Sequence, residues 1–141
     1  MVSISRLKST TWKTMIGKGN AVYLNAYRAR LVEWRRQNTV VRLDKPTRIE
    51  RARALGYRDN HCTVVVRVRV RKGHPLKSRP KAGRRPKRMG IKKLTYLLSD
   101  KRIAEQRVYK RYRNMRVLGS YMVGEDGEQK WFEVVLARKL H

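Results

Sequence analysis

From Thr63 to Arg71 the chain reads TVVVRVRVR, and from Val66 onward apolar and basic residues alternate with a period of two. That period places successive side chains on opposite faces of an extended chain. The pattern therefore predicts a strand with Val66, Val68 and Val70 on a buried face and Arg67, Arg69 and Arg71 on the other, the arginines about 6–7 Å apart along it. A charged face that only discourages edge-to-edge pairing more often uses lysine. Arginine's planar fork pairs bidentately with phosphate oxygens, so the row suits contact with a nucleic-acid backbone.

Helical spacing governs three other stretches. In NAVYLNAYRARLVEWRRQ, Asn20 to Gln37, the residues Tyr23, Tyr27, Leu31 and Trp34 recur in steps of three and four, and Asn20 stands at a capping position. Arg28, Arg30, Arg35 and Arg36 fall mainly off that stripe, which reads as aromatic core beneath a solvated basic face. DKPTRIERARALGY offers a sharper signature: Thr47 and Glu50 form a capping-box pattern, and Gly56 a left-handed stop. Ile49, Ala52 and Leu55 face one way there, leaving Arg48, Arg51 and Arg53 with only Asp44 and Glu50 nearby to pair them. In KRIAEQRVYKRY, capped by Asp100, the residues Ala104, Val108 and Tyr112 stack beside Ile103 as a core-packing stripe.

Finally, MRVLGSYMVGEDGEQKWFEVVLARK reads as two strands joined by a turn around Gly124, Glu125, Asp126 and Gly127. Strands and helices of this kind predict an α+β class: a small mixed body, here taken as one domain over residues 1–141, a length that suits a single core.

Charge changes what this body is for. Lysine and arginine outnumber aspartate and glutamate by 37 to 10, a formal charge of +27, while hydrophobic residues still make up 40% of the chain. Such self-repulsion destabilises a compact state unless a polyanion offsets it, either nucleic acid or an anionic membrane face. There is no run of about 18 apolar residues and no basic amphipathic helix with a broad apolar face, so nucleic acid is the expected partner and a membrane is not. The start of the chain lacks the apolar core of a secretory signal, which points to the cytoplasm.

The excess is densest in KGHPLKSRPKAGRRPKRMGIKK, Lys72 to Lys93, within a span from Asp59 to Asp100 that has no acid between its ends. Pro75, Pro80 and Pro86 each remove a backbone donor, and no helical or strand period runs through the segment. Residues 72–99 are therefore expected to form an extended basic loop that meets RNA through Lys72, His74, Lys77, Arg79, Lys81, Arg84, Arg85, Lys87, Arg88, Lys92 and Lys93.

Signs of other chemistry are few. Cys62 has no second cysteine to pair with, and His61, His74 and His141 lie too far apart to suggest a metal site. The sequence contains no Walker-type glycine loop and no G-x-S-x-G elbow, so neither an enzyme nor a small-molecule substrate is expected, nor a cofactor. A nuclease would need Glu125, Asp126, Glu128 or Glu133 to bind a divalent metal, but Asp and Gly belong in turns for backbone reasons. A free-standing basic RNA-binding or chromatin-type protein would share the charge.

The blocks RLDKPTRIERARALGY, VVRVRVRKG, KAGRRPKRMGI, RIAEQR and RVLGSYMVGEDGEQKWFEVVL, in that order, resemble the large-subunit ribosomal protein family fifteen of the archaeal and eukaryotic type. The resemblance covers roughly Glu33 to Leu136. It implies a structural constituent of the large ribosomal subunit, without catalytic activity, whose small α+β body and extensions are buried in large-subunit ribosomal RNA beside neighbouring ribosomal proteins. Arg67 to Arg71 and Lys81 to Arg88 would then contact RNA. Three places depart from the family pattern: ARKLH follows Leu136 where an Asp-Pro-containing segment and a basic extension are usual, RDNHC replaces a more basic stretch, and Gly119 replaces a common asparagine.

Overall fold

The computed structural model describes residues 21–73 and 97–139, with positions 78, 79, 81, 83, 90 and 91 between them. Its elements are α1 (Ala21–Arg36), β1 (Val40–Leu43), α2 (Ile49–Ala54), β2 (Thr63–Arg71), α3 (Asp100–Arg111), β3 (Met115–Glu125) and β4 (Gln129–Arg138). The four strands form one antiparallel sheet in the order β1-β2-β4-β3. Helices and sheet together make the α+β fold that the alternating patterns predict.

Both faces of the sheet are covered. On one, Leu31 and Trp34 of α1 and Ala52 of α2 pack on Val65, Tyr121, Val123, Trp131 and Val135. On the other, Ala104 and Val108 of α3 pack on Val66, Val68, Val70, Phe132, Val134 and Leu136. Strand β4, in the centre, is apolar on both sides, and this is why WFEVVL carries no polar alternation except at Glu133. Of the turn expected around Gly124, Glu125, Asp126 and Gly127, only Asp126 and Gly127 lie between β3 and β4; Gly124 and Glu125 continue β3 and pair with Trp131 and Lys130.

Several helix ends are set differently from their sequence signals. The capping box at α2 does not form: Arg48 occupies the cap position without a side-chain bond, and Thr47 turns its amide and hydroxyl to Glu133 of β4. Ile49 is 38% exposed and does not join Ala52 and Leu55 in the core. The stop at Gly56 does form, with φ of 93° and bonds from Gly56 N to Arg53 O and from Tyr57 N to Ala52 O, both 2.9 Å. At α3 the cap is Ser99, whose hydroxyl accepts from the Arg102 amide at 3.3 Å, while Asp100 takes the Lys130 ammonium at 2.7 Å. The expected cap Asn20 lies outside the described residues.

Two glycines of β3 mark where helices cross the sheet edge. The strand's register with β4 shifts between Val117 and Gly119 and again between Met122 and Gly124. A Cβ on Gly119 would stand 3.0 Å from Leu55 Cδ2, and one on Gly124 would stand 2.9 Å from Tyr27 Oη, 3.1 Å from Trp34 Cζ3 and 3.2 Å from Leu31 Cδ2. Helix α1 thus rests on the bare backbone of Gly124. Gly124→Ala is expected to cost about 1–3 kcal/mol by overpacking this contact, read as a lower urea midpoint with an unchanged slope; an unchanged midpoint would show that α1 yields freely.

Candidate nucleic-acid interface

The arginine face of β2 does not form the open row that its period suggests. Arg67 is 7% exposed, because α1 covers this face as well. Its guanidinium carbon sits 4.3 Å from the Trp34 ring centroid, Nη2 donates to Gln37 Oε1 at 2.5 Å, and its cross-strand partner is Glu133. Burial pulls the Arg67 pKa down, with Glu133 and then Glu33 acting against that, and a guanidinium stays charged throughout. Arg69 is half-buried: Nη1 donates to Arg35 O at 2.6 Å, and its own carbonyl accepts from Arg107 Nη1 at 2.6 Å. Arg71 alone of the three is exposed. The expectation of three solvated arginines is thus corrected, since a sheet clad on both faces leaves only the strand's end in solvent.

Beneath α1 and α2 the same face holds a polar network that sequence patterns did not single out. Glu133 is fully buried and accepts from Thr47 N at 3.2 and 3.1 Å, from Thr47 Oγ1 at 2.5 Å and from Tyr121 Oη at 2.6 Å. Burial, the Glu133 charge and the bond to it push the Tyr121 phenol far above its usual range, so it remains a donor. A charged residue inside the otherwise apolar run WFEVVL was the available signal.

The exposed cations gather elsewhere. At the end of β2, Arg69, Arg71 and Arg107 line a recess of about 380 Å³ with Thr39, Glu128 and Gln129. Lys72 continues from it, with its amide on Glu128 O at 2.7 Å and its ammonium 3.2 Å from Glu125. Along the β3 edge, Arg48, Arg51 and Lys101 border a second recess of about 480 Å³ over Ser120, Tyr121 and Met122. Of the three arginines expected to outnumber their acids, Arg48 pairs with Glu50 at 3.3 Å and is largely covered, whereas Arg51 and Arg53 are exposed. Arg28, Arg30, Arg35 and Arg36 stud the outside of α1, and Arg79 and Lys81 are exposed. His74, Lys77, Arg84, Arg85, Lys87, Arg88, Lys92 and Lys93 lie outside the described residues.

The acids, by contrast, are mostly spent inside the fold. Glu50, Asp100, Glu105, Glu125 and Asp126 each form an ion pair and Glu133 is buried, so six of the ten acids are engaged, and the excess of 37 basic over 10 acidic residues leaves the surface strongly positive. No group of three or more His, Cys, Asp or Glu among the described residues could hold a metal ion. Asp126 instead closes the β3–β4 turn, accepting from the amides of Glu128 at 2.8 Å and Gln129 at 2.6 Å and from Arg35 Nε at 2.9 Å.

Burial alone would raise the Asp126 carboxyl, but these amides and then Arg35 hold it below its ordinary 3.8. A depressed folded pKa contributes stability above the unfolded value and loses it as pH falls through the folded one. The stability gap between the parent protein and Asp126→Asn is therefore expected to be full at neutral pH and to close below about pH 3.8. Urea midpoints of both proteins taken downward in pH check this, and a gap that does not narrow contradicts it.

Comparison with known proteins follows the same line. The family model described as Ribosomal L15 matches residues 9–141. Over 109 residues the chain is 53% identical to the large ribosomal subunit protein eL15 of Natronomonas pharaonis, an alignment that covers 77% of this chain and 56% of that protein. The chain thus spans little more than half the length of this curated relative.

Proposed function

The chain belongs to the ribosomal L15 family, and from that membership we propose that it is a non-catalytic constituent of the large ribosomal subunit, in the cytoplasm, that binds and braces large-subunit ribosomal RNA beside neighbouring ribosomal proteins. The observation that carries this reading is the division of charge: most carboxylates are committed within the body, while arginines and lysines ring it on α1, α2, α3 and the end of β2. A positive surface spread over several elements suits the enclosing backbone of a large folded RNA better than a short duplex site.

In this reading Arg51, Arg53, Arg71, Lys72, Arg79 and Lys81 meet phosphates, together with the acid-free run up to Lys93. Arg67 and Arg69 act from within, holding α1 against the sheet. Each contact displaces condensed counterions, so about ten of them make log affinity fall with log salt at a slope near −7 to −9. Phosphates also offset the mutual repulsion of the Lys72–Lys93 run. No cofactor or catalytic step is involved.

The test is sedimentation of a cell extract through a high-salt gradient, with this protein followed by mass spectrometry. Co-migration with the large subunit after the wash is the expected result. Recovery in the light fractions, or absence from the large subunit even at low salt, would favour a free-standing basic RNA-binding or chromatin-type protein.

A further inference from the structure

We infer that Tyr109 and Gln106, on the outer side of α3, form a stacking site for an unpaired nucleobase. This rests on the RNA-binding reading above and adds to it a contact with a base, not with the backbone.

Arg102, Gln106 and Tyr109 stand at positions i, i+4 and i+7 of α3, on a stripe turned away from the buried Ala104 and Val108. With Glu105 and Val117 of β3 they line a recess of about 380 Å³. Tyr109 is 52% exposed, whereas Tyr57 and Tyr121 are buried and Tyr27 and Tyr112 pack against the two cores. A single exposed aromatic is ordinary. Here, however, its neighbours are chemically matched to a nucleotide.

Positive charge lies near the ring. The Lys139 ammonium stands over the Tyr109 ring, 6.0 Å from its centroid, and is held there by a 2.9 Å bond to Arg113 O, while Arg102 lies two turns back along the helix on the far side of the recess. The one carboxylate in the recess is already engaged: Glu105 takes Ser120 Oγ at 2.7 Å through Oε1 and pairs with Arg102 at 3.4 Å through Oε2, so that pair is close to neutral and the net positive charge beside the ring comes from Lys139. The exposed Gln106 side-chain amide has no hydrogen bond to any of the described residues, which leaves a donor and an acceptor beside the ring. An aromatic face takes the π-face of any base, an amide meets its edge, and a nearby cation such as Lys139 takes an adjoining phosphate. A peptide or a lipid surface would ask for a wider apolar floor than Val117 and one ring supply.

The full chain, mixed with a labelled single-stranded oligouridylate, is irradiated with short-wavelength ultraviolet light, crosslinked peptides are identified by mass spectrometry, and affinity is measured in parallel. A base adduct is expected on the peptide carrying Tyr109, and it should fade when an RNA duplex of the same length is used. Tyr109→Phe should keep both adduct and affinity. Tyr109→Leu should lose the adduct and bind the oligonucleotide roughly fivefold to a hundredfold more weakly, with duplex binding unchanged. Adducts confined to other peptides, with Tyr109→Leu binding as tightly as the parent, would overturn the base site and leave the RNA-binding reading intact. Equal losses in the Phe and Leu variants would overturn stacking in favour of the hydroxyl. Failure of the parent to bind either RNA form would overturn both readings.

Discussion

Glu133→Ala is expected to destabilise the protein by about 3–5 kcal/mol, the usual cost of deleting one partner from a buried charged network. Glu133 is fully buried, and its two oxygens receive the Thr47 amide, the Thr47 hydroxyl and the Tyr121 hydroxyl. Its removal strands the buried Tyr121 hydroxyl, takes the acceptor from the part-buried Thr47 donors and leaves Arg67, its cross-strand neighbour, buried with less opposing charge. The loss is a large part of the roughly 5–15 kcal/mol that keeps a domain folded. Chemical denaturation followed by tryptophan fluorescence gives the number. If the network is the cause, Thr47→Val in the Glu133→Ala background should cost much less than in the parent, because its acceptor is already gone. Additive losses, or a Glu133→Ala effect below about 1 kcal/mol, would contradict this account.

Trp34→Ala should be comparably severe, at about 3–5 kcal/mol. The indole is 5% exposed, lies 5.9 Å from the Trp131 ring, covers the Arg67 guanidinium and sits over Gly124. Truncation opens a hole between α1 and the sheet that rigid neighbours cannot close, and it uncovers a cation whose burial depended on the ring. Trp34→Phe keeps an aromatic face over Arg67 and should lose markedly less. The near-ultraviolet dichroism of Trp131 reports whether the layer beneath has loosened, and an alanine variant with an unchanged midpoint would mean that α1 is held by something other than Trp34.

What could be read from the chain alone was what is decided within a few residues. Gly56 ends its helix and Asp126 closes its turn through bonds that span at most five residues, so local chemistry announced them. Thr47 carried the same kind of local signal and was overruled, because Glu133, 86 positions away, offers a buried carboxylate that outcompetes a solvated cap. The β2 alternation correctly divided valines from arginines, yet a period of two cannot say whether the second face meets water or a helix. Only the presence of α1 over it reveals that Arg67 is a core residue. The family resemblance named the family correctly, but the role of each arginine depends on burial, a property of the assembled layers.

The order β1-β2-β4-β3 has a further consequence. Strand β2 pairs directly with β4, so the chain between Arg71 and Gln129 is closed into a loop when the sheet forms. Closing such a loop in the unfolded chain costs entropy that grows only with the logarithm of its length, about 0.6 kcal/mol per doubling. Lengthening or shortening the stretch between β2 and α3 therefore barely taxes the sheet. The body sets few terms for the composition of that stretch, which is free to follow the demands of whatever it touches.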